Sequence, residues 1–277
     1  QEVLNMYDFR NLDIVKNDDD PFIPAEAMYF RDTELPIESI IPDYVTLTVS
    51  GREIATPETR IGEYSLYDGG TFINRRFPSR QITVTYALLA HNDNEFREAF
   101  NLLNEQLFNR KEFQFYFKDD PNYYWTGSVT AVEEFPAGQY QGKSSFTITC
   151  TDPYKHSKDP FLISGIKEFK ITEDIVYPSS PDKITWKYTG DVQNTYIQDG
   201  NGHEIMLDGI FAAGDELELI PDDPKGQFVY LFGNPNPWRL KLGVGIADIH
   251  TFYVKKGSNI VVNANCEVVL EVSKKLL

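Results

Sequence analysis

Apolar and polar positions alternate with a period of two along most of this chain, the pattern of half-buried β-strands. The stretch up to residue 43 is polar, broken by Pro21, Pro24, Pro36 and Pro42, and reads as irregular or edge structure. Alternation then begins at 44–49 with Tyr44-Val45-Thr46-Leu47-Thr48-Val49. Residues 51–57 interrupt it, and Asp68-Gly69-Gly70 marks a tight turn. Further strands are expected at 71–76, 81–88, 113–117, 124–132 and 145–150. One segment changes period: Phe96, Ala99, Phe100, Leu103 and Leu107 recur at helical spacing. Asn92 or Asp93 can cap that helix, Glu95 stands three residues after Asn92 as a capping box requires, and Asn109 and Arg110 end it. The first half is therefore expected to be strands plus one helix, an α+β domain or a β-sandwich with a covering helix.

Residues 151–160 carry Pro153 and Pro160 and no apolar period, which makes them the best boundary in the chain. Beyond them every candidate element is a strand: 166–171, 184–188, 195–198, 203–207, 216–220, 228–232, 249–254, 259–262 and 267–272. Turn signals fall between them at Asp199-Gly200-Asn201-Gly202, Asp208-Gly209 and Lys256-Gly257. That rhythm is the one expected of a β-sandwich. The organisation read from the chain is an N-terminal domain over 1–155, a linker over 156–165 and a sandwich domain over 166–277.

A length of 277 residues suits two domains, and 19 Phe and 16 Tyr supply the flat side chains that strands accommodate. The net charge is −16. Up to Lys155 there are 14 basic and 25 acidic residues, a net of −11, and the remainder carries −5. Neither half is expected to bind a phosphate backbone by counterion release. The acidity instead keeps the chain soluble, repels DNA or meets a basic partner. Cys150 and Cys266 each sit in apolar alternation and read as buried free thiols. No run of 18 apolar residues would span a membrane, and residues 1–10 lack the order of a signal peptide. These features suit folding in a cytoplasm.

Patterns that carry chemistry fail one after another. Gly138-Gln139-Tyr140-Gln141-Gly142-Lys143-Ser144 places three residues between its glycines where a phosphate loop needs four, and a strand follows it instead of a helix. Gly243-Val244-Gly245 lacks the third glycine of a dinucleotide fingerprint. The four histidines (His91, His156, His203, His250) form no metal-ligand spacing, and Asp18-Asp19-Asp20 and Asp222-Asp223 are contiguous where a calcium loop alternates. No nucleophile elbow is present, and Glu133-Glu134 or Glu216 with Glu218 have nothing to single them out as a catalytic pair. The expectation is no catalytic residue, no metal and no cofactor. Of the tryptophans, Trp186 reads as core, and Trp125 as a sandwich anchor or an interface aromatic. Trp238 is a candidate glycan or partner contact. Arg75, Arg76 and Arg80 are candidate interface residues, taken as exposed, though a solvated strand edge would also explain them.

Several ordered motifs resemble the distal tail proteins (Dit) of phages and prophages with long, non-contractile tails that infect Gram-positive bacteria. They are Met6-Tyr7-Asp8-Phe9-Arg10, Ile41-Pro42-Asp43-Tyr44-Val45-Thr46-Leu47-Thr48-Val49-Ser50-Gly51-Arg52-Glu53, Asp68-Gly69-Gly70-Thr71 and Arg80-Gln81-Ile82-Thr83-Val84-Thr85-Tyr86. The helical Glu95-Phe96-Arg97-Glu98-Ala99-Phe100-Asn101-Leu102-Leu103-Asn104 and the run from Phe146 to Tyr154 complete them. The resemblance covers about 6–155 and suggests Met6 as the natural start, with residues 1–5 added. Gly202-His203-Glu204-Ile205-Met206-Leu207-Asp208-Gly209, Ala213-Gly214-Asp215-Glu216-Leu217 and Lys256-Gly257-Ser258-Asn259-Ile260 resemble, more loosely, the galectin-like C-terminal sandwich of the same proteins.

The resemblance implies a structural protein of the virion tail tip, made in the host cytoplasm, with no enzymatic activity and no membrane insertion. It implies a hexameric ring of N-terminal domains around a channel through which DNA passes, with C-terminal domains outside. The ring would join the tail tube protein to the tail-associated protein and hold receptor-binding proteins. The alternative is a free carbohydrate-binding module, since galectin-like sandwiches often bind glycans.

Overall fold

Strand-length alternation punctuated by turns becomes a mainly β molecule in the computed structural model, which describes residues 23–63, 68–136, 138–200, 202–221, 229–232, 240–241, 252–263 and 265–277. The chain divides between Lys155 and His156 into two units, each with its own apolar core. Residues 1–5 and Met6, Asp18-Asp19-Asp20, Asp222-Asp223, Trp238, Gly243-Val244-Gly245 and His250 lie outside the described residues.

The first unit contains β1 (Met28–Phe30), β2 (Leu35–Pro36), α1 (Ile37–Ile40), β3 (Tyr44–Ser50), β4 (Glu58–Glu63), β5 (Gly70–Arg76), β6 (Arg80–Leu89), α2 (Asp93–Phe108), β7 (Phe113–Phe117), β8 (Tyr123–Val132) and β9 (Gln141–Cys150). Seven of these strands run in the order β2-β1-β7-β8-β9-β6-β3, every neighbouring pair antiparallel. β8 turns the corner: Trp125 to Gly127 pair with β7, whereas Ser128 onward pairs with β9. A Cβ on Gly127 would stand 2.8 Å from Thr149 O and 3.0 Å from Cys150 Sγ, so glycine permits that approach. The polar stretch before residue 43 does more than expected, because Met28 and Phe30 of β1 are fully buried in the sheet.

α2 covers this core as its period requires. Ala99, Leu103 and Leu107 are buried, and Phe96 stacks on Phe100 at 5.7 Å and packs on Phe135 at 4.9 Å. Asn92 Oδ1 accepts hydrogen bonds from the Asn94 and Glu95 amides at 3.1 and 3.0 Å. Glu95 reaches back one residue further than a capping box demands and accepts from the His91 amide.

β10 (Lys155–Ser157) spans the boundary and β11 (Phe161–Ile166) follows in the second unit, so two strands occupy most of the expected 156–165 linker. Then follow β12 (Glu168–Lys170), β13 (Lys183–Tyr188), β14 (Val192–Asp199), β15 (Glu204–Phe211), β16 (Glu216–Leu219), β17 (Val229–Phe232), β18 (Leu240–Lys241), β19 (Asn259–Val262), β20 (Cys266–Val272) and β21 (Lys275–Leu276). One sheet runs β11-β20-β13-β16-β17 and the other β12-β19-β14-β15-β18. The expected single strand 166–171 is split because Lys167, at φ 62°, carries the chain from one sheet to the other. Trp186, Leu217, Val268 and Leu270 of the first sheet share a core with Ile197, Ile205, Leu207 and Ile260 of the second, and Tyr188 stacks on Phe211 at 4.5 Å.

Asp208-Gly209, expected as a turn, lies inside β15. It faces a bulge in β14, where Asn194 at φ 58° turns its Oδ1 to the Gly209 amide at 3.1 Å. Asp199 caps the next turn and pairs with His203 Nδ1 at 3.0 Å.

Candidate assembly surface

One element of the first unit pairs with no other strand among the described residues. β4 and β5 pair only with each other, as a two-stranded antiparallel hairpin with a bulge between Arg60 and Ile61. Nearly every residue of both strands is exposed, including Ile61 (60%), Phe72 (62%) and Ile73 (53%). A lone two-stranded hairpin is marginally stable in water, and Ile61 and Phe72, facing each other across its strands, form an unburied apolar pair. The sequence reading found β5 but took 51–57 as a break and missed β4. Glu58-Thr59-Arg60-Ile61-Gly62-Glu63 has no buried face and therefore no alternation to detect.

The hairpin is held at its root, where the chain leaves β3 and returns into β6. Gly51 sits at φ 89°, and a Cβ there would stand 2.0 Å from Gln81 O. Its amide donates to Glu53 Oε2 at 2.7 Å. Arg80 Nη1 donates to Gly51 O at 3.3 Å and to Glu53 O at 3.0 Å, with the guanidinium 4.8 Å over the Trp125 ring. Arg80 was expected to be exposed; only 6% of it is. Its Nε and Nη2 have no hydrogen-bond partner, and burial pulls its pKa down. The alternation of β6 explains the burial, because Arg80 falls on the inward face with Ile82, Val84 and Tyr86. Trp125 is correspondingly an anchor, 4% exposed.

Beside this root lies a cleft of about 460 Å³ lined by Arg52, Phe117, Asp119, Tyr123, Trp125 and Lys155 among others. Arg52 makes a paired contact with Asp119 (2.7 and 3.0 Å), meets Glu26 at 2.7 Å and stacks on Phe117 at 4.5 Å. Lys155 pairs with Asp120 and lies 4.9 Å over Tyr123. The cleft's two lining cations are thus paired within the unit, and no group in it stands as a free base or nucleophile. Its pairs join residues far apart in the chain, so no spacing in the sequence announces them. Among the described residues no three His, Cys, Asp or Glu side chains are grouped to hold a metal ion. Both cysteines are buried, free thiols. Burial pushes the Cys150 thiol up to about 12 and the Cys266 thiol up to about 11.

The other two arginines singled out by sequence behave as surface groups. Arg76 pairs with Glu58 across the hairpin at 2.8 Å, both side chains more than half exposed. Among the described residues Arg75 meets only the Phe77 ring, 5.9 Å away, and Arg60 has no partner. Trp186 is fully buried, as expected for core.

Residues 51–150 match the family model described as the phage tail protein RIFT-related domain. The chain's structure is similar to a crystal structure of the SPP1 Dit protein (gp 19.1), described as a paradigm of the hub adsorption apparatus in phages infecting Gram-positive bacteria. That similarity has a TM-score of 0.67 at 15% identity and covers 91% of this chain and 99% of that one. A chain of the phage p2 baseplate in its activated conformation with Sr matches at a TM-score of 0.50 and 8% identity, covering 84% of this chain and 91% of that one. No curated protein sequence matches. Residues 51–150 are thus similar to the phage tail protein RIFT-related domain, and the chain has a fold similar to that of the SPP1 Dit protein.

Proposed function

We propose that this chain is a structural hub of a phage tail tip. Six copies would form a ring whose N-terminal units surround a channel for DNA. The ring would join the tail tube protein to tail-associated and receptor-binding proteins, without enzymatic activity. The observation that carries this reading is the extent of the fold match, which takes in 99% of the Dit chain and so includes both units. The hairpin supports it, because an exposed apolar arm on an otherwise well-packed unit is explained by a protein partner. A ring is also the closed form that head-to-tail contacts between identical subunits give. The net charge of −11 up to Lys155 suits a wall past which DNA slides without adhering.

Immunogold labelling of phage particles from a strain carrying the gene tests the location. Gold confined to the distal end of the tail supports the proposal. Gold on the head or along the tail shaft, or particles without label, contradicts it.

A further inference from the structure

We infer that strand β11 of the second unit pairs edge to edge with β11 of a second copy of this chain, antiparallel about a two-fold axis at Ser164. The inference concerns the second unit alone and does not rest on the hub reading.

β11 ends its sheet. It pairs with β20 on one side, and among the described residues no strand lies on the other. Nor does any backbone group of residues 161–166 bond elsewhere among the described residues, so the strand presents a row of open N–H and C=O groups. Sandwiches guard such edges by brevity, charge or proline. In the other sheet, edge strand β12 has three residues, Glu168 and Lys170 among them, and edge strand β18 has two, one of them Lys241. β11 has no such guard: Phe161-Leu162-Ile163-Ser164-Gly165-Ile166 is six residues without charge or proline, a composition that accepts a further strand. Its outward side chains are Leu162 (69% exposed), Ser164 and Ile166 (56% exposed).

That order of side chains is its own complement. Directly opposed residues of an antiparallel pair share one face. A two-fold axis at Ser164 therefore sets Leu162 opposite the other copy's Ile166, Ile166 opposite its Leu162, and serine opposite serine. β20 widens the uncharged strip, because Val269 stands beside Ser164. Glu271 and Glu267 stand beside Leu162 and Ile166, and Glu271 pairs with Lys183 at 2.6 Å. Across the axis, Glu271 of one copy and Glu267 of the other are three strand spacings apart, about 14 Å. That exceeds the ~10 Å over which exposed charges act at 0.1 M salt. A second copy thus fits the edge in backbone pairing, in apolar contact and in charge. The contact is isologous and brings one position to its own copy, whereas the head-to-tail contacts of a ring join unlike surfaces.

Mild oxidation of the full-length Ser164→Cys chain tests this on a non-reducing gel, beside a Met206→Cys chain altered at an exposed position of the other sheet. The expected result is a disulfide-linked dimer from the first and little from the second. Two further variants are made in the Ser164→Cys background, with circular dichroism to check that each is folded. Leu162→Glu with Ile166→Glu sets like charges opposite each other twice and should lower the cross-linked yield about tenfold. Leu162→Glu with Ile166→Lys makes two opposite-charge pairs in this register and should keep the yield. Ser164→Cys chains that cross-link no more than Met206→Cys chains, or charge variants that behave alike, overturn the contact. Either failure leaves the hub reading standing, since that reading is tested by the gold labelling and involves no β11 pairing.

Discussion

Arg80→Met removes the guanidinium from the hairpin root while keeping most of the apolar stem. The lost interactions are the bonds to Gly51 O and Glu53 O and the stack on Trp125. A hydrogen bond from a charged donor contributes about 1.5–3 kcal/mol, the 3.3 Å bond at the lower end, and a desolvated cation–ring contact adds about 1–2 kcal/mol. Against this, the Arg80 Nε and Nη2 are buried without partners, each costing about 1–3 kcal/mol that the substitution recovers. Glu53 is exposed and Gly51 partly so, which lets water reach the vacated carbonyls. The net expectation is a loss of about 1–2 kcal/mol, near 5 °C in Tm. The local effect should be sharper, since the bonds tie the hairpin to the unit. Amide hydrogen exchange in β4 and β5 should quicken about tenfold, while the β6–β9 ladder changes only by the global loss. A variant as stable as wild type, with hairpin exchange unchanged, would refute the view that Arg80 clamps the arm.

Gly51→Ala should cost at least about 2 kcal/mol in thermal unfolding, because φ 89° disfavours a side chain and its Cβ would strike backbone at Gln81; an unchanged Tm would contradict this. Burial raises the Glu38 carboxyl pKa, and the Thr46 hydrogen bonds and Lys118 offset that only in part. A raised folded-state value means stability present below the ordinary carboxylate range and lost as pH climbs through the raised one. Glu38→Gln should flatten that decline and be the more stable form at neutral pH, since a neutral amide carries no charge to desolvate in that buried site. Parallel denaturation midpoints across pH would count against it. Cys150 and Cys266, with thiols pushed to about 12 and about 11, should react with thiol reagents only in denaturant; rapid labelling of the native chain would contradict their burial.

What the sequence disclosed follows from how local each signal is. Helix α2 was legible because its period and its Asn92 cap lie within 17 residues of chain. The two β-rich units were legible from alternation and turn rhythm. β4 was not, since a strand with both faces in water carries no alternation. Asp208-Gly209 misled because Gly209 serves a bulge whose cause, Asn194, lies on the neighbouring strand. Arg80 is the instructive case. Its place on the inward face of β6 was readable from Ile82 and Val84, but what makes burial tolerable is Trp125, 45 positions away. Arg75 and Arg76 were legible as surface residues because the strand they occupy has no inward face at all.

Negative-stain electron microscopy of the purified full chain tests the central claim most directly. The account predicts six-fold rings with a central channel and lobes projecting outward. Fields of separate single-copy particles at every concentration, or closed assemblies of another symmetry, would contradict it.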